Sequence, residues 1–521
     1  MKRYFNTTGF CRPELHYMVD PLRGLEKEIY RLIEREQYFV IHAPRQTGKT
    51  TLLHSLAHKL NKEGRYISSV ISVERAGYKS ISIEEANYSI CNALYNSCKN
   101  FINKKFFPAE PENNKRITFY NYLSDWISSL DKPAVLLIDE IDSLYDDVLV
   151  SLLRQLRDGF QSRPKHFPAS VALVGLRDVR DYKLKSKYSD RSLGSGSPFN
   201  IKAESFMLGN FSKDMMKNLY SQHTRDTGQV FSDEVTELIY SFTGGQPWLV
   251  NAIADEIIVK ILEEDFSKEI TKKIVTTAKE NLIQRRDTHL DSLLDKLKEE
   301  RVKNIVSNVI SGDSPLYDTF NDDLRYCIDL GIIKNEDNII SFSNHIYKEI
   351  IPRVLNYHWQ MGIGEEGETN RYIKNHRLDM DKLLKAFQTF YRRHSEHWID
   401  IFNYKEAGQQ LLLMAFLQRI INAGGRIERE MAVGRGRTDL TIYYGNDIFV
   451  LELKLKRDEY VYKEGMDQLS RYLDTIGSEK GYLILFELKN SKEVPWESRL
   501  KWKAVQHSFG KSIKKITVVE M

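Results

Sequence analysis

The sequence predicts a multidomain α/β protein, and three observations predict it. Apolar, strand-like runs alternate with amphipathic helical patterns from about residue 31 to 210, which implies a parallel sheet. A purely helical pattern follows to about residue 285. The chain then returns to strands around a tight hairpin near its end, RTDLTIYYGNDIFVLELKLK, residues 437–456. At 521 residues there is room for three or four domains with buried cores.

Composition bounds the class. Hydrophobic residues make up 41% and charged residues 28%, as in an ordinary soluble globular protein. The net charge of +4 is small for this length, so any surface for nucleic acid must be local. The lysine-rich stretch from Lys489 to Lys515 is a candidate, with a solvated tail as the plain alternative. Four cysteines show neither metal spacing nor a disulfide framework, and Cys91 and Cys98 read as core thiols. A cytoplasmic location is expected. No run reaches membrane-spanning length. The thirteen histidines form no His-Glu-x-x-His arrangement, which argues against a zinc hydrolase.

The most specific motif lies early. Residues 38–51 read YFVIHAPRQTGKTT, a buried strand, a loop and the start of a helix. The loop Ala43-Pro44-Arg45-Gln46-Thr47-Gly48-Lys49-Thr50-Thr51 fits a P-loop with alanine in place of the first glycine. Backbone N–H groups of such a loop and the following helix N-terminus cradle phosphates. Lys49 would reach the β- and γ-phosphates of ATP, and Thr50 would ligate Mg²⁺. About ninety residues on, PAVLLIDEID gives an apolar strand ending in Asp139-Glu140. Asp139 would hold Mg²⁺ through water, and Glu140 would polarise the attacking water. A third strand, SVALVGLRD, ends near Arg177, a candidate γ-phosphate sensor. The alternative for Arg177 is a surface ion pair with Asp178 or Asp181. Arg154 and Arg157, on the helix after Asp139, are weaker candidates for arginine fingers, and either acting in trans would require a homo-oligomer. The stretch Asp20-Pro21 through Glu26 is a candidate neighbour of the nucleotide base.

The segment FTGGQPWLVN, residues 242–251, lies between two helical patterns. It resembles the Gly-x-Pro lid element of STAND-type ATPases, relatives of the AAA+ group. That resemblance implies that Pro247, beside Gly245, lies near the nucleotide. Residues 290–355 read as a winged helix: a long amphipathic helix over Leu290–Ile310, a shorter one from Asp322, a hairpin turn around residues 335–338, and a strand from Ile339. Acids at Asp322, Asp323 and Asp329 disfavour phosphate contact and suggest a packing role. The polar run GIGEEGETN at 362–370 is the best linker candidate.

In the C-terminal hairpin, a turn centred on Gly445-Asn446 sets Asp439 opposite Glu452 and Arg437 opposite Lys454. A one-residue slip would put the two acids on opposite faces. Two carboxylates and a lysine on one patch suit a divalent ion at a phosphodiester-cleaving site. Glu-x-Lys on a strand alone is more often a solvated face. Here the chain resembles the PD-(D/E)XK nuclease superfamily over roughly its last 140 residues. By that resemblance Asp439 and Glu452 hold Mg²⁺, Lys454 orients water or stabilises charge, Glu406 assists from the preceding helix, and Gln468 positions the site. Glu428 or Glu430 is an alternative to Glu406. Phe387 and Phe390 are expected in the core.

The whole chain resembles AAA-like, STAND-type P-loop ATPases with a C-terminal PD-(D/E)XK domain. The implied organisation is an ATPase core at 1–210, a helical lid at 211–285, a winged helix at 286–360, a linker at 361–377 and a nuclease-like domain at 378–521. The implied function is an ATP switch controlling a Mg²⁺-dependent nuclease, with DNA ahead of RNA as partner. The alternative is a signalling or scaffold ATPase whose last domain binds without cutting.

Overall fold

A computed structural model describes residues 3–112, 117–178, 201–285, 293, 295–311, 317–318, 321–355, 372–374, 377–399, 413–414, 416–417, 425–433, 436–456, 459–478, 480–487, 500–509 and 512–521. The chain forms two compact units. The first comprises residues 1–293, 319–334 and 343–345, and the second comprises 294–318, 335–342 and 346–521.

The first unit begins with α1 (Glu26–Glu34), β1 (Tyr38–His42), α2 (Lys49–Glu63), β2 (Ile67–Ser72), α3 (Ile83–Phe101), α4 (Phe119–Ser128), β3 (Ala134–Asp139), α5 (Asp146–Gly159), β4 (Ser170–Gly175) and β5 (Lys202–Met207). The strands form one parallel sheet in the order β2-β3-β4-β1-β5. Successive side chains of a strand face opposite ways, so each strand feeds two cores. Tyr38 and Val40 pack on the side of α3, α4 and α5. Phe39 and Ile41 pack against α1 and α2. Cys91 and Cys98 are buried in the first of these cores.

The stretch from 211 to 285 is helical: α6 (Lys213–Thr227), α7 (Asp233–Thr243), α8 (Pro247–Asp255) and α9 (Lys272–Arg285). The side chains of Ser212, Ser232 and Gln246 cap the first three by accepting a backbone N–H. Between α7 and α8, Gly245 has φ +70, and a Cβ there would lie 2.0 Å from the carbonyl oxygen of Phe211. Only glycine fits this approach.

The middle segment contains α10 (Glu300–Ser311), α11 (Asp322–Asp329), β6 (Ile333–Glu336), β7 (Ile339–Phe342) and α12 (His345–Leu355). The hairpin turn falls at Asp337-Asn338, both with positive φ (52° and 65°). The long helix expected over Leu290–Ile310 is interrupted. Turns close from Lys298 N to Asp295 O and from Glu299 N to Lys296 O, and the helix restarts with Glu299 O accepting from both Val302 N and Lys303 N. The amphipathic spacing continues through the break, so periodicity alone missed it.

In the second unit a short ribbon, β8 (Ile373–Lys374) and β9 (Arg377–Leu378), precedes α13 (Met380–Ile399). The strands β10 (Gly425–Val433), β11 (Gly436–Tyr444), β12 (Asp447–Lys456), β13 (Lys480–Glu487), β14 (Lys501–Phe509) and β15 (Ser512–Glu520) form one sheet in the order β10-β11-β12-β13-β15-β14. β10, β11 and β12 are antiparallel neighbours, β12, β13 and β15 run parallel, and β14 is antiparallel to β15. Helix α14 (Glu459–Ile476) covers one face, with Met466, Leu469 and Leu473 packed on Val450, Leu483 and Val518. On the other face Tyr482 donates its hydroxyl to Asp381 of α13 (2.7 Å), and Phe387 and Phe390 are buried against Phe416, as expected of core residues. Among the described residues no helix is long and apolar enough to cross a membrane. Of the linker expected at 361–377, residues 361–371 and 375–376 fall outside the described residues, and the rest contains β8 and the first residue of β9.

Gly245→Ala is expected to destabilise the first unit by about 1–3 kcal/mol, because it adds both left-handed strain and a clash with Phe211 O. Urea unfolding of the two proteins measures this.

Candidate functional site

Parallel strands bring their C-terminal ends to one edge, and the loops that follow them gather there. The loop after β1 turns at Gln46 (φ 57°) and at Gly48 (φ 92°), the N-cap of α2. A Cβ at Gly48 would lie 2.9 Å from Nη2 of Arg23. Ala43 is fully buried, while Arg45 and Gln46 are exposed. The Thr47 hydroxyl donates to Pro44 O (2.8 Å). The Lys49 ammonium donates to Ala43 O (2.7 Å) and Pro44 O (2.8 Å). Desolvation lowers its pKa to about 8, against the pull of Asp142, Asp139 and Glu140. The Thr51 hydroxyl accepts from Cys11 N (3.0 Å).

Two strands away, Asp139 ends β3. Its Oδ2 accepts from the Thr50 hydroxyl (2.7 Å), and its Oδ1 accepts from Glu140 N (2.9 Å). The expected pair of Mg²⁺ ligands therefore lies together. Burial raises the Asp139 pKa, partly countered by Thr50 and Lys49. Glu140 is held in a left-handed backbone (φ 61°), and its carboxylate accepts from the Ser72 hydroxyl. Ser72 ends β2 in register with Asp139. Burial raises the Glu140 pKa as well. Two carboxylates and a hydroxyl next to a phosphate-binding loop are a donor set suited to Mg²⁺ with a nucleoside triphosphate.

Arg177 follows β4, as expected, and an ion-pair partner it has here is an acid distant in sequence. Its Nε bonds Asp329 of α11 (2.9 Å), and its guanidinium lies over the Tyr326 ring at 5.0 Å. Asp178 pairs with Lys202, and Asp181 is outside the described residues. A Cβ on Gly331, just past α11, would lie 2.6 Å from Pro44 Cγ. The short acidic helix thus packs beside the P-loop, in line with the expected packing role. Arg154 and Arg157 are exposed on α5.

Pro247 is the first residue of α8, and Gln246 donates from Nε2 to Gln46 O (3.4 Å). Pro247 lines a cavity of about 110 Å³ that also borders Gly48 and Thr51. The N-terminal segment lines one side of this cavity through residues such as Thr7 and Met18. Trp248 Nε1 donates to Thr7 O (2.8 Å), and Gln222 Nε2 to Met18 O (2.8 Å). Arg23 donates to Thr47 O and Gly209 O, and desolvation lowers its pKa to about 10. Sequence reasoning flagged the 20–26 stretch but missed Arg23 itself. It missed Ser72 too, although the end of a strand beside Asp139 was the available signal.

The second unit assembles the other set. The β11–β12 ladder pairs Leu440 with Leu451 and Thr441 with Val450, the register expected from the Gly445-Asn446 turn. Continued by one residue, it sets Asp439 at Glu452. Asp439 Oδ2 accepts from Leu453 N (2.7 Å). Glu452 is 2% exposed, and its Oε2 is buried without a hydrogen-bond partner. Its Oε1 lies 3.2 Å from the Lys454 ammonium. Burial and the Asp439 charge raise the Glu452 pKa to about 8, while Lys454 pulls the other way. Gln468, on the helix α14 that covers this face, has a buried Oε1 without a partner. Among the described residues no group of three or more His, Cys, Asp or Glu side chains could hold a metal. The two carboxylates are the kind of oxygen donors that a hard divalent cation keeping several waters would take. Glu406 lies outside the described residues, as do the side chains of Arg437, Glu428 and Glu430.

Residues 32–182 match the AAA domain family, which agrees with the site geometry: the chain carries an AAA-type P-loop ATPase domain. Residues 385–490 match a domain of unknown function, DUF8371. The chain is similar to the Walker-type ATPase paby2304 of Pyrococcus abyssi, at 15% identity and a TM-score of 0.46, covering 67% of this chain and 99% of that one. It is similar to the RuvB Holliday junction branch migration motor of Thermotoga maritima at 16% identity and a TM-score of 0.35, covering 64% and 97%. Cdc6p from Pyrobaculum aerophilum follows at 14% identity and a TM-score of 0.34, covering 67% and 97%. No curated protein matches the chain.

Nucleotide affinity is expected to hold below about pH 8 and to fall above it by up to tenfold per pH unit, because the charged form of Lys49 is lost as pH rises through its value of about 8. Calorimetric titration with ADP across pH 6.5 to about 9.5 checks this. Lys49→Met is expected to bind weakly with a flat profile.

Proposed function

We propose that this protein is a nucleotide-switched, Mg²⁺-dependent nuclease of PD-(D/E)XK type, governed by its AAA-type ATPase domain. The observation that carries the nuclease half is the pair of acids joined by strand register. Glu452 is buried with one oxygen unpartnered, beside Asp439 and 3.2 Å from Lys454. A carboxylate kept so far from water without a second partner costs free energy unless a cation completes it.

In this reading Asp439 and Glu452 hold Mg²⁺. The ion would polarise the scissile phosphate and lower the pKa of the attacking water. Lys454 exchanges its contact with Glu452 for the water or the phosphate and balances the charge developing on the non-bridging oxygens. Gln468 offers its amide oxygen to the same patch, and Glu406 stays an assisting acid by resemblance. The substrate is nucleic acid, with DNA ahead of RNA.

In the ATPase half, Lys49 trades Ala43 O and Pro44 O for phosphate oxygens, and Thr50 with Asp139 holds the Mg²⁺ of ATP. Glu140 is the base that orients water, positioned by Ser72. Arg177 is the γ-phosphate sensor, and a γ-phosphate competes with Asp329 for it. Release of Asp329 would loosen α11 from the P-loop edge, so STAND-like switching through the lid and a winged helix at 286–360 is the proposed route of control. A homo-oligomer is part of this proposal.

One observation favours the second reading, a scaffold ATPase whose last domain binds without cutting: the two carboxylates lack a third acid among the described residues. The two readings differ in a cleavage assay on single- and double-stranded DNA and RNA with Mg²⁺, with and without ATP. The expected result is cutting by the wild type, a loss of about 100-fold or more in Asp439→Asn and Lys454→Ala, and altered ATP dependence in Lys49→Ala. No cutting under any nucleotide condition leaves the scaffold reading. Cutting by Lys49→Ala identical to wild type removes the coupling and keeps the nuclease.

Metal affinity in the second unit is expected to rise with pH up to about 8, by as much as tenfold per unit, because Glu452 must lose its proton to bind. Mn²⁺ titration of wild type and Glu452→Gln tests this, and the variant profile is expected to lose that rise.

A further inference from the structure

Two residues lining the cavity beside the P-loop have a buried polar atom without a partner, Arg23 Nε and Asn251 Oδ1, and the second is an acceptor. The cavity is lined by Val19, Gly48, Thr51, Pro247, Trp248 and Asn251, among others. Asn251 lies one turn after Pro247 on α8 and is 7% exposed. Its Nδ2 donates to Pro247 O (2.8 Å). Its Oδ1 is buried and has no hydrogen-bond partner. A buried amide oxygen left unpaired is costly, so a native structure that keeps one usually reserves it for a ligand.

The orientation of this amide is not free. Turning it over would set Oδ1 against the carbonyl oxygen of Pro247, two acceptors facing each other with no proton between them. Nδ2 is therefore committed to the helix backbone, and the atom left over is an acceptor. The position of α8 is fixed as well. Its N-cap residue Gln246 reaches Gln46 O in the P-loop, and Trp248 holds Thr7 O of the N-terminal segment. Phosphates seated on the N-terminus of α2 extend a nucleoside towards Gly48 and Thr51, which border the same cavity.

We infer that Asn251 determines base specificity: its Oδ1 accepts a hydrogen bond from the exocyclic amino group of a 6-aminopurine and rejects 6-oxopurines. A 6-oxo group brings a second acceptor to Oδ1 and leaves both unpaired. A site built around one hydrogen bond discriminates strongly against a partner that cannot make it. The inference rests on the nucleotide reading of the P-loop and goes beyond it, because that loop reads phosphate and not base.

The test is equilibrium binding to the full chain of three diphosphates that share sugar and phosphates: ADP, inosine diphosphate and purine riboside diphosphate. The wild type is expected to bind ADP about tenfold or more tightly than either of the others. Asn251→Leu, similar in shape, should weaken ADP to the level of the other two and leave those two nearly unchanged. Equal wild-type affinity for all three overturns the assignment while the nucleotide reading stands, and this arm needs no variant to fold. An undiminished ADP preference in Asn251→Leu overturns it equally. Binding of none of the three removes the nucleotide reading and this assignment with it.

Discussion

Strand register is the constraint on which both sets of functional groups depend. In the first unit the parallel ladder aligns Ser72 with Asp139 and brings His42 beside Gly175. The segments that leave these strand ends therefore emerge at one edge, carrying the P-loop, Glu140 and Arg177. In the second unit the antiparallel ladder continues from Leu440–Leu451 to set Asp439 at Glu452. Backbone hydrogen bonds fix these alignments collectively, so a one-residue slip would send every affected side chain to the other face. No single side-chain contact could hold the groups in position as firmly.

Burial then sets their chemistry. Lys49 and Glu452 are opposite in charge, yet desolvation pushes both towards the neutral form. Each is held close to groups that partly offset this. Lys49 has carbonyl oxygens and the acids around Asp139, and Glu452 has Lys454. Groups poised in this way respond strongly to an arriving ion or phosphate, because the ligand supplies the countercharge that water no longer provides.

The helices after β5 and the N-terminal segment show how local sequence rules shape the wall of a cavity. Gly245 lets the chain pass against Phe211 O, Pro247 starts α8, and that helix turns Trp248 and Asn251 towards the cavity. Thr7 and Met18 tie the N-terminal segment to α8 and α6 by accepting from Trp248 and Gln222. The cavity is thus built from three stretches distant in sequence, and its shape depends on all of them packing together.

Residue order alone identifies the reactive groups. Gly48-Lys49-Thr50, Asp139-Glu140, the position of Arg177 at a strand end and the Gly445-Asn446 register were all legible, because each follows from spacing along one strand, one turn or one loop. Buried Phe387, Phe390, Cys91 and Cys98 were legible for the same reason, through apolar periodicity. Pairings across long separations emerge only when the chain packs. Arg177 meets Asp329, Ser72 meets Glu140, Arg23 braces Thr47, and Asn251, with its buried unpaired oxygen, comes to line the cavity. The break before α10 also escaped the sequence, since its turns follow from backbone hydrogen bonds that leave the apolar spacing intact. Periodicity records which face of an element is buried. It does not record which distant side chain shares that burial, and that choice is made only when the elements pack.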